Sequence, residues 1–462
     1  GMTSTIRNRL NPLSLLPVLL AILLVVSPGC YATGRHIIDA IDDHAEAFES
    51  IATADLDKFL DRVGDARFVL LGESTHGTQE FYEMRARLSQ ALIEQKGFDI
   101  IALEADWPDV TRIERYIQSD SRPPLYRRKP FSAFPRWMWL NQPFVEFTGW
   151  LKDINQQRDD DDRVHINGLD LYNLAGSMRL VLDYLASIEP ASAEYARQQY
   201  GCLLPVADKP AKYGDYANTG RYPVCKKPVE TVYRMFLDKA EQWSLIDRAR
   251  YFQALQNALL VVKGEHFYFY RVKFSHDPDS EREAWNYREQ NLLESVQHLV
   301  EHYGESSKVI IWAHNTHIGD SRATDMAEDD RHSLGERIRK VFPKHSYLVG
   351  FGTDRGTVRA APGWKKSAQI MQIPSSHADS FEHLLHTAKA DNFLFPLRNI
   401  EHQALRERFS EEYGQRAIGF LYDPKNELEK HYIGARLAEQ FDELIWFDRT
   451  SALQDINRVN KR

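Results

Sequence analysis

Four short stretches of the 462-residue chain end in residues able to move protons. They are ARFVLLGESTH (66–76), FDIIALEAD (98–106), RVHINGLDLY (163–172) and KVIIWAHNTH (308–317). Between them they supply Glu73 and His76, Glu104 and Asp106, Asp170, and His314 and His317. A carboxylate that orients an imidazole and stabilises its protonated form lets that imidazole take a proton from water. His76 is then the base, and the activated water attacks an ester or lactone carbonyl. His314 or His317 serves as acid for the leaving alkoxide or as an oxyanion donor. Arg85, nine residues after His76 and so about two and a half helical turns along, can reach back to a carboxylate or to substrate.

Other chemistries fit the same residues. His76, His314, His317 and Glu73 could hold a divalent metal that activates the water. GESTHG also resembles the G-x-S-x-G nucleophile elbow with Ser74 as nucleophile, but that elbow needs a small residue where His76 stands. Each residue has a plainer role open to it as well. Glu73 and Thr75 can cap the following helix, Glu104 can pair with Arg85, and a histidine can be a hydrogen-bonded core residue. The signal is the gathering of carboxylates and imidazoles, not any one of them. P-loop, Rossmann glycine, CxxC and H-E-x-x-H patterns are absent from the sequence.

These groups meet only if the segments carrying them end on one side of a common sheet. The short aliphatic runs, joined by SYLVGFGT (346–353), RAIGFLYD (416–423) and ELIWFD (443–448), alternate with helical patterns over 78–95, 108–118, 144–157 and 174–187. Near-continuous apolar strands of this kind predict an α/β three-layer sandwich, a mostly parallel sheet covered on both faces, with ligands bound beyond the carboxyl ends of the strands. From 174 to 305 strand signals vanish, which predicts a helical lobe inserted in the chain. Its Pro/Gly/Tyr-rich part, 204–228, reads as an irregular excursion. The division is then 1–30 leader, 31–173 first part of the core, 174–305 lobe and 306–462 second part of the core. Tyr268 and Arg271 of EHFYFYR, in the lobe, join Asp106 and Asp170 as candidate substrate contacts. Trp137, Trp139 and Phe144 read as core aromatics.

Hydrophobic residues make up 43% and charged residues 27%, as in ordinary globular proteins. The net charge of -8 and the lack of Lys/Arg-rich tracts argue against nucleic acid as a partner. Gly1 ahead of Met2 reads as an appended residue. Arg7 and Arg9, an apolar run from Leu13 to Val26 and SPGC ending at Cys30 resemble an export signal, too short for a comfortable membrane span. Cys30 is then a candidate lipid anchor, although Pro12 and Pro17 interrupt the run and SPGC departs from the usual lipobox. The expected location is the cell envelope or periplasm, or the cytoplasm if the leader is an over-extended start. Cys202 and Cys225 either pair or remain two buried thiols.

The motifs LLGESTHGTQEFYEMR, GFDIIALEADWPD, FPRWMWLNQPFVEFTGWL, INGLDLYNL, KVIIWAHNTHIGDSRATDM, LVGFGTDRGTV and RAIGFLYDPKNELEKHY occur in that order. Together they resemble the erythromycin esterase family, over roughly residues 40 to 450. The resemblance implies an α/β sandwich with a helical lobe and a cleft between them. It implies that His76 is the general base for hydrolysis of a lactone, with Glu73 and Glu104 as its glutamates, Arg85 as the arginine of the first helix, and His314 and His317 after the fourth strand. FPRWMW and HNTHIGDSRATDM look closer to the broad erythromycin-esterase-like branch than to the resistance enzymes. WNYREQN (285–291) departs from that branch, with Glu289 in place of an expected aspartate. That departure and the leader put erythromycin itself in doubt as substrate. The expected ligand is a small-molecule ester or lactone, with no cofactor required and a divalent metal as an alternative. A small-molecule or haem carrier using the same cleft without turnover is the reading from another class.

Overall fold

The computed structural model describes residues 28–119, 134–273 and 278–456, so the leader run at 13–26 lies outside the described residues and Cys30 falls at the start of the helix Pro28–His44. The strands are β1 (Glu46–Ala47), β2 (Phe68–Leu71), β3 (Ile100–Asp106), β4 (His165–Asp170), β5 (Val309–Trp312), β6 (Ser346–Ala360), β7 (Gln369–Ile373), β8 (Asn392–Pro396), β9 (Tyr413–Arg416), β10 (Tyr432–Ala435) and β11 (Glu443–Thr450). Nine of them form one sheet in the order β1-β8-β11-β6-β2-β5-β3-β4, with β7 added to the far end of β6. From β11 through β4 every neighbouring pair is parallel, while β1, β7 and β8 run antiparallel to their neighbours.

Every residue of β2, β3 and β5 is buried, as strands covered on both faces must be. Alternation along them divides the core. Phe68, Leu70, Ile100, Ala102, Val309 and Ile311 pack with helices Arg248–Lys273, Pro278–Tyr303 and Leu334–Val341. Val69, Leu71, Ile101, Leu103, Ile310 and Trp312 face helices Gln79–Lys96 and Gln142–Gln156 on the opposite side. Trp139 and Phe144 are buried in this second cluster. The chain is therefore an α/β three-layer sandwich.

Between Leu174 and Tyr303 the described residues contain no strand. Met178, Tyr200, Tyr213, Phe236, Trp243 and Val261 form a third apolar cluster there, separate from both sheet faces. Cys202 and Cys225 are joined by a disulfide with a Cα–Cα distance of 5.6 Å. It closes a segment that holds the helix Pro210–Asn218, where the sequence suggested irregular chain.

RAIGFLYD does not form a core strand. Only Arg416 belongs to a strand, β9, which pairs with β10 in a separate two-stranded sheet. The rest runs as a strap against the loop after β2. Ile418 N–H donates to Ser74 O and Phe420 O accepts from Ala361 N–H, both at 2.8 Å, while Ile418 and Tyr422 pack with Val358, Ala360 and Ile373, so the run ties that loop to the far end of β6. The short β8, NFLFP, was not anticipated.

Candidate active site

Because β2, β5 and β3 are adjacent and parallel, the residues following them emerge side by side. Glu73 and His76 lie on one flank, His314 and His317 in the middle, and Glu104 on the other. The loop after β2 has no room for side chains where it turns. A Cβ on Gly77 would stand 1.9 Å from Arg359 O, and Gly77 O accepts from Arg359 N–H and Leu453 N–H. A glycine after His76 thus lets the backbone dock against β6 and holds the imidazole in place.

The ring of His76 is fixed at one nitrogen. Its Nδ1–H donates to Glu73 Oε1 at 2.5 Å, and the other carboxylate oxygen accepts from Arg85 Nη2 at 2.9 Å. Arg85 is fully buried, with its guanidinium carbon 4.6 Å from the ring centre of Tyr82 and 4.8 Å from that of Trp312. Burial opposes ionisation of Glu73, but Arg85, His76 and His314 outweigh it and hold its pKa below the usual value. Phe420 of the strap stacks on His76, with ring centres 4.7 Å apart. The His76 Nε2 atom makes no hydrogen bond among the described residues, so with the proton on Nδ1 its lone pair is available.

His314 has a different role in this geometry. Its Nδ1 accepts from Thr316 N–H at 3.2 Å as the cap of the short helix Asn315–Ile318, and its Nε2–H donates to Ile418 O at 2.9 Å. Burial, reinforced by His76, lowers its pKa to about 4. The ring is neutral and both nitrogens are committed to backbone, so it ties the strap to the strand end.

His317 sits among charges. Nδ1–H donates to Glu289, Nε2 lies 3.5 Å from Glu104 Oε2 and 3.3 Å from Arg288 Nη1, and Trp285 stacks on the ring at 4.8 Å. Burial and the nearby Arg288 disfavour its charge, yet Glu289 and Glu104 prevail and raise its pKa. Glu104 also accepts His314 N–H at 2.9 Å. Burial would raise the Glu104 pKa, and His317, His76 and Arg288 together pull it well below the ordinary carboxylate range.

Arg288 and Glu289 complete the cluster, and the sequence reading gave neither a role. Arg288 grips Asp170 with Nε at 3.1 Å from Oδ1 and Nη2 at 2.7 Å from Oδ2, and reaches Glu104 at 3.3 Å. Both lie in WNYREQN, inside a long helix where charged residues are ordinarily solvated, so only the third dimension distinguishes them. Arg85 pairs with Glu73 and not Glu104. Asp170 is committed to Arg288, while Asp106 accepts Tyr172 N–H at 2.7 Å. Burial, with Asp170 and Asp109 close by, pushes the Asp106 pKa well above its usual value. Tyr268 Oη donates to Tyr172 O at 3.1 Å, and Arg271 is exposed with its guanidinium 5.5 Å from the Phe267 ring.

The ligand set His76, His314, His317 and Glu73 does not aim its donor atoms at one point. Among the described residues, the group whose donors lie within 4.8 Å of one another is Asp354, His386 and Asp448, which shares no member with that set. That group is internally bonded, with Arg355 donating to both Asp354 and His386. With both His314 nitrogens taken by backbone, this ligand set does not fit a metal.

The family model for erythromycin esterase matches residues 93–450. The chain belongs to the erythromycin esterase family. The segment holding Glu73, His76 and Arg85 precedes the matched residues, so its place in the site rests on the geometry above. YbfO of Bacillus subtilis (strain 168), whose name calls it a hydrolase, is 21% identical over 422 residues, covering 88% of this chain and 90% of YbfO. Among solved structures, a succinoglycan biosynthesis protein aligns with a TM-score of 0.75 at 21% identity, covering 92% of this chain and 99% of that one. An erythromycin esterase mutant in its open conformation aligns with a TM-score of 0.64 at 15% identity, covering 89% and 98%. At these identities the two structures establish the shared fold.

Proposed function

We propose that the protein hydrolyses a carboxylic ester or lactone of a small molecule, with His76 as general base. The observation that carries this reading is the buried relay in which Arg85 holds Glu73 and Glu73 holds His76 Nδ1, leaving Nε2 free to accept a proton. A water at Nε2 loses its proton to the imidazole as its oxygen bonds to the carbonyl carbon. Glu73 stabilises the imidazolium without taking the proton. The tetrahedral intermediate collapses with cleavage of the carbon–oxygen bond, and the proton passes to the leaving alkoxide. His317, whose charged form Glu289 and Glu104 favour, supplies the donor for the oxyanion or the alkoxide. Glu104, Arg288 and His314 position His317 and the strap. Membership of the family and the name of YbfO support hydrolysis as the reaction class.

The Cys202–Cys225 disulfide supports the export reading, since such bonds persist in oxidising compartments. A panel of esters and lactones, assayed with the wild type and His76→Ala, tests the function. Turnover that survives the substitution undiminished refutes the role given to His76.

A further inference from the structure

A pocket of about 370 Å³ adjoins the catalytic cluster, lined by Tyr172, Phe267, Arg271, Trp285, Arg288 and Arg331 among others. It shares a wall with the site, because Trp285 stacks on His317 and Arg288 lies 3.3 Å from the same ring. A row of aromatic rings links it to the base. Ring centres are 5.8 Å apart for Tyr172 and Phe134, 6.1 Å for Phe134 and Phe420, and 4.7 Å for Phe420 and His76.

The cations of this pocket are not equivalent. Arg288 is neutralised by Asp170 and Glu104. Arg331 donates to Asp329 at 2.6 Å and lies 4.0 Å from Glu281, the carboxylate of the lining. Arg271 is exposed on the rim and makes no ion pair among the described residues, its partner being the face of Phe267. Among the described residues the rim therefore keeps an uncommitted positive charge, although the whole chain carries a net charge of -8. A guanidinium stacked on an aromatic ring leaves its edge N–H groups free for bidentate contact with a carboxylate. The space is near the small end of ligand pockets, which run from about 300 Å³ upward.

We propose that the ester or lactone taken by this site carries a carboxylate remote from the scissile bond, and that Arg271 receives it while Phe267 and Trp285 flank the intervening carbon chain. This rests on the hydrolase reading above for its chemistry, but the docking step can be measured without it. Hydrolysis of such a half-ester forms the acyl–oxygen bond from water, breaks the bond to the alcohol and releases a dicarboxylate.

Two measurements test the proposal. In the first, kcat/KM is compared for mono-4-nitrophenyl succinate and its neutral isostere 4-nitrophenyl 4-methylpentanoate. The wild type prefers the anion by tenfold or more. Arg271→Ala brings the ratio to about one, chiefly through the KM of the anionic ester, and Arg271→Lys restores part of the preference. Equal kcat/KM for the pair, or a preference that survives Arg271→Ala, overturns the proposal while leaving hydrolysis intact. In the second, calorimetry follows succinate binding to His76→Ala, which is expected to bind it, and to the double variant with Arg271→Ala, which is expected not to. Absence of binding to His76→Ala, or binding that ignores Arg271, overturns the docking. Arg271-dependent binding by a protein that turns over no ester upholds the docking and refutes the hydrolase reading instead.

Discussion

At the scale of single residues, the division of labour among three histidines follows from what each ring nitrogen touches. His314 is neutral because both nitrogens serve backbone groups, and His317 is biased toward its charged form by two carboxylates. Glu289→Gln removes one of those carboxylates. Its charge raises the pKa of His317, so its loss lowers that pKa, and the alkaline limb of the kcat/KM profile is expected to move to lower pH. A limb that stays in place separates His317 from the chemistry. Arg288 faces two buried carboxylates, so Arg288→Met strands Asp170 and Glu104 together. Denaturant unfolding is expected to show a loss of about 3–5 kcal/mol, the usual cost of breaking a buried ion pair. A loss well under 1 kcal/mol would show that the pair is solvated and does not organise the site.

At the scale of elements, the site is assembled by strand order and by two loop devices. Gly77 lets the loop carrying His76 press against β6, so Gly77→Ala must push that loop away. It is expected to cut kcat by about tenfold to a hundredfold, the scale of a misplacement near 1 Å, while leaving the circular dichroism spectrum native. An unchanged kcat would mean that His76 needs no such placement. Much at this scale was legible in the sequence. β2, β3, β4 and β5 were announced by aliphatic runs ending in polar residues, and helices such as Gln79–Lys96 by their periodicity. The strap was not legible, because RAIGFLYD has the composition of a buried strand. Only the hydrogen bonds that Ile418 donates to Ser74 and accepts from His314 reveal that it lies against the catalytic loop. Phe420, stacked on His76, was missed for the same reason. Arg288 and Glu289 were hidden differently. A charged pair inside a 26-residue helix reads as solvated surface until the helix is docked against β4, where Asn291 and Ser295 donate to Leu169 O.

At the scale of the whole molecule, the sheet with its two helical layers supplies a rigid edge, and the helices between Leu174 and Tyr303 bring Tyr268, Arg271 and Arg288 to it. The chain from 174 onward has its own apolar cluster and its own covalent tie. The disulfide links residues 23 apart in sequence, and loop-closure entropy for that span gives about 3 kcal/mol of stabilisation. Reduction, or Cys225→Ser, is expected to lower the unfolding free energy by about that amount, read from denaturant midpoints with and without reductant. Identical midpoints would show that the tie contributes nothing to stability. Whether the two cysteines pair was not legible from spacing, because a disulfide is decided by the approach of two Cα atoms that the sequence does not display.

The most direct test of the central claim is the steady-state rate of His76→Ala relative to wild type, on whichever ester or lactone of the panel the wild type turns over fastest, with thermal melting of both proteins measured alongside. The account predicts a fall in kcat of about 10²–10⁴-fold, the usual contribution of a positioned general base, with little change in melting temperature. A variant that folds like the wild type and retains its kcat would contradict it.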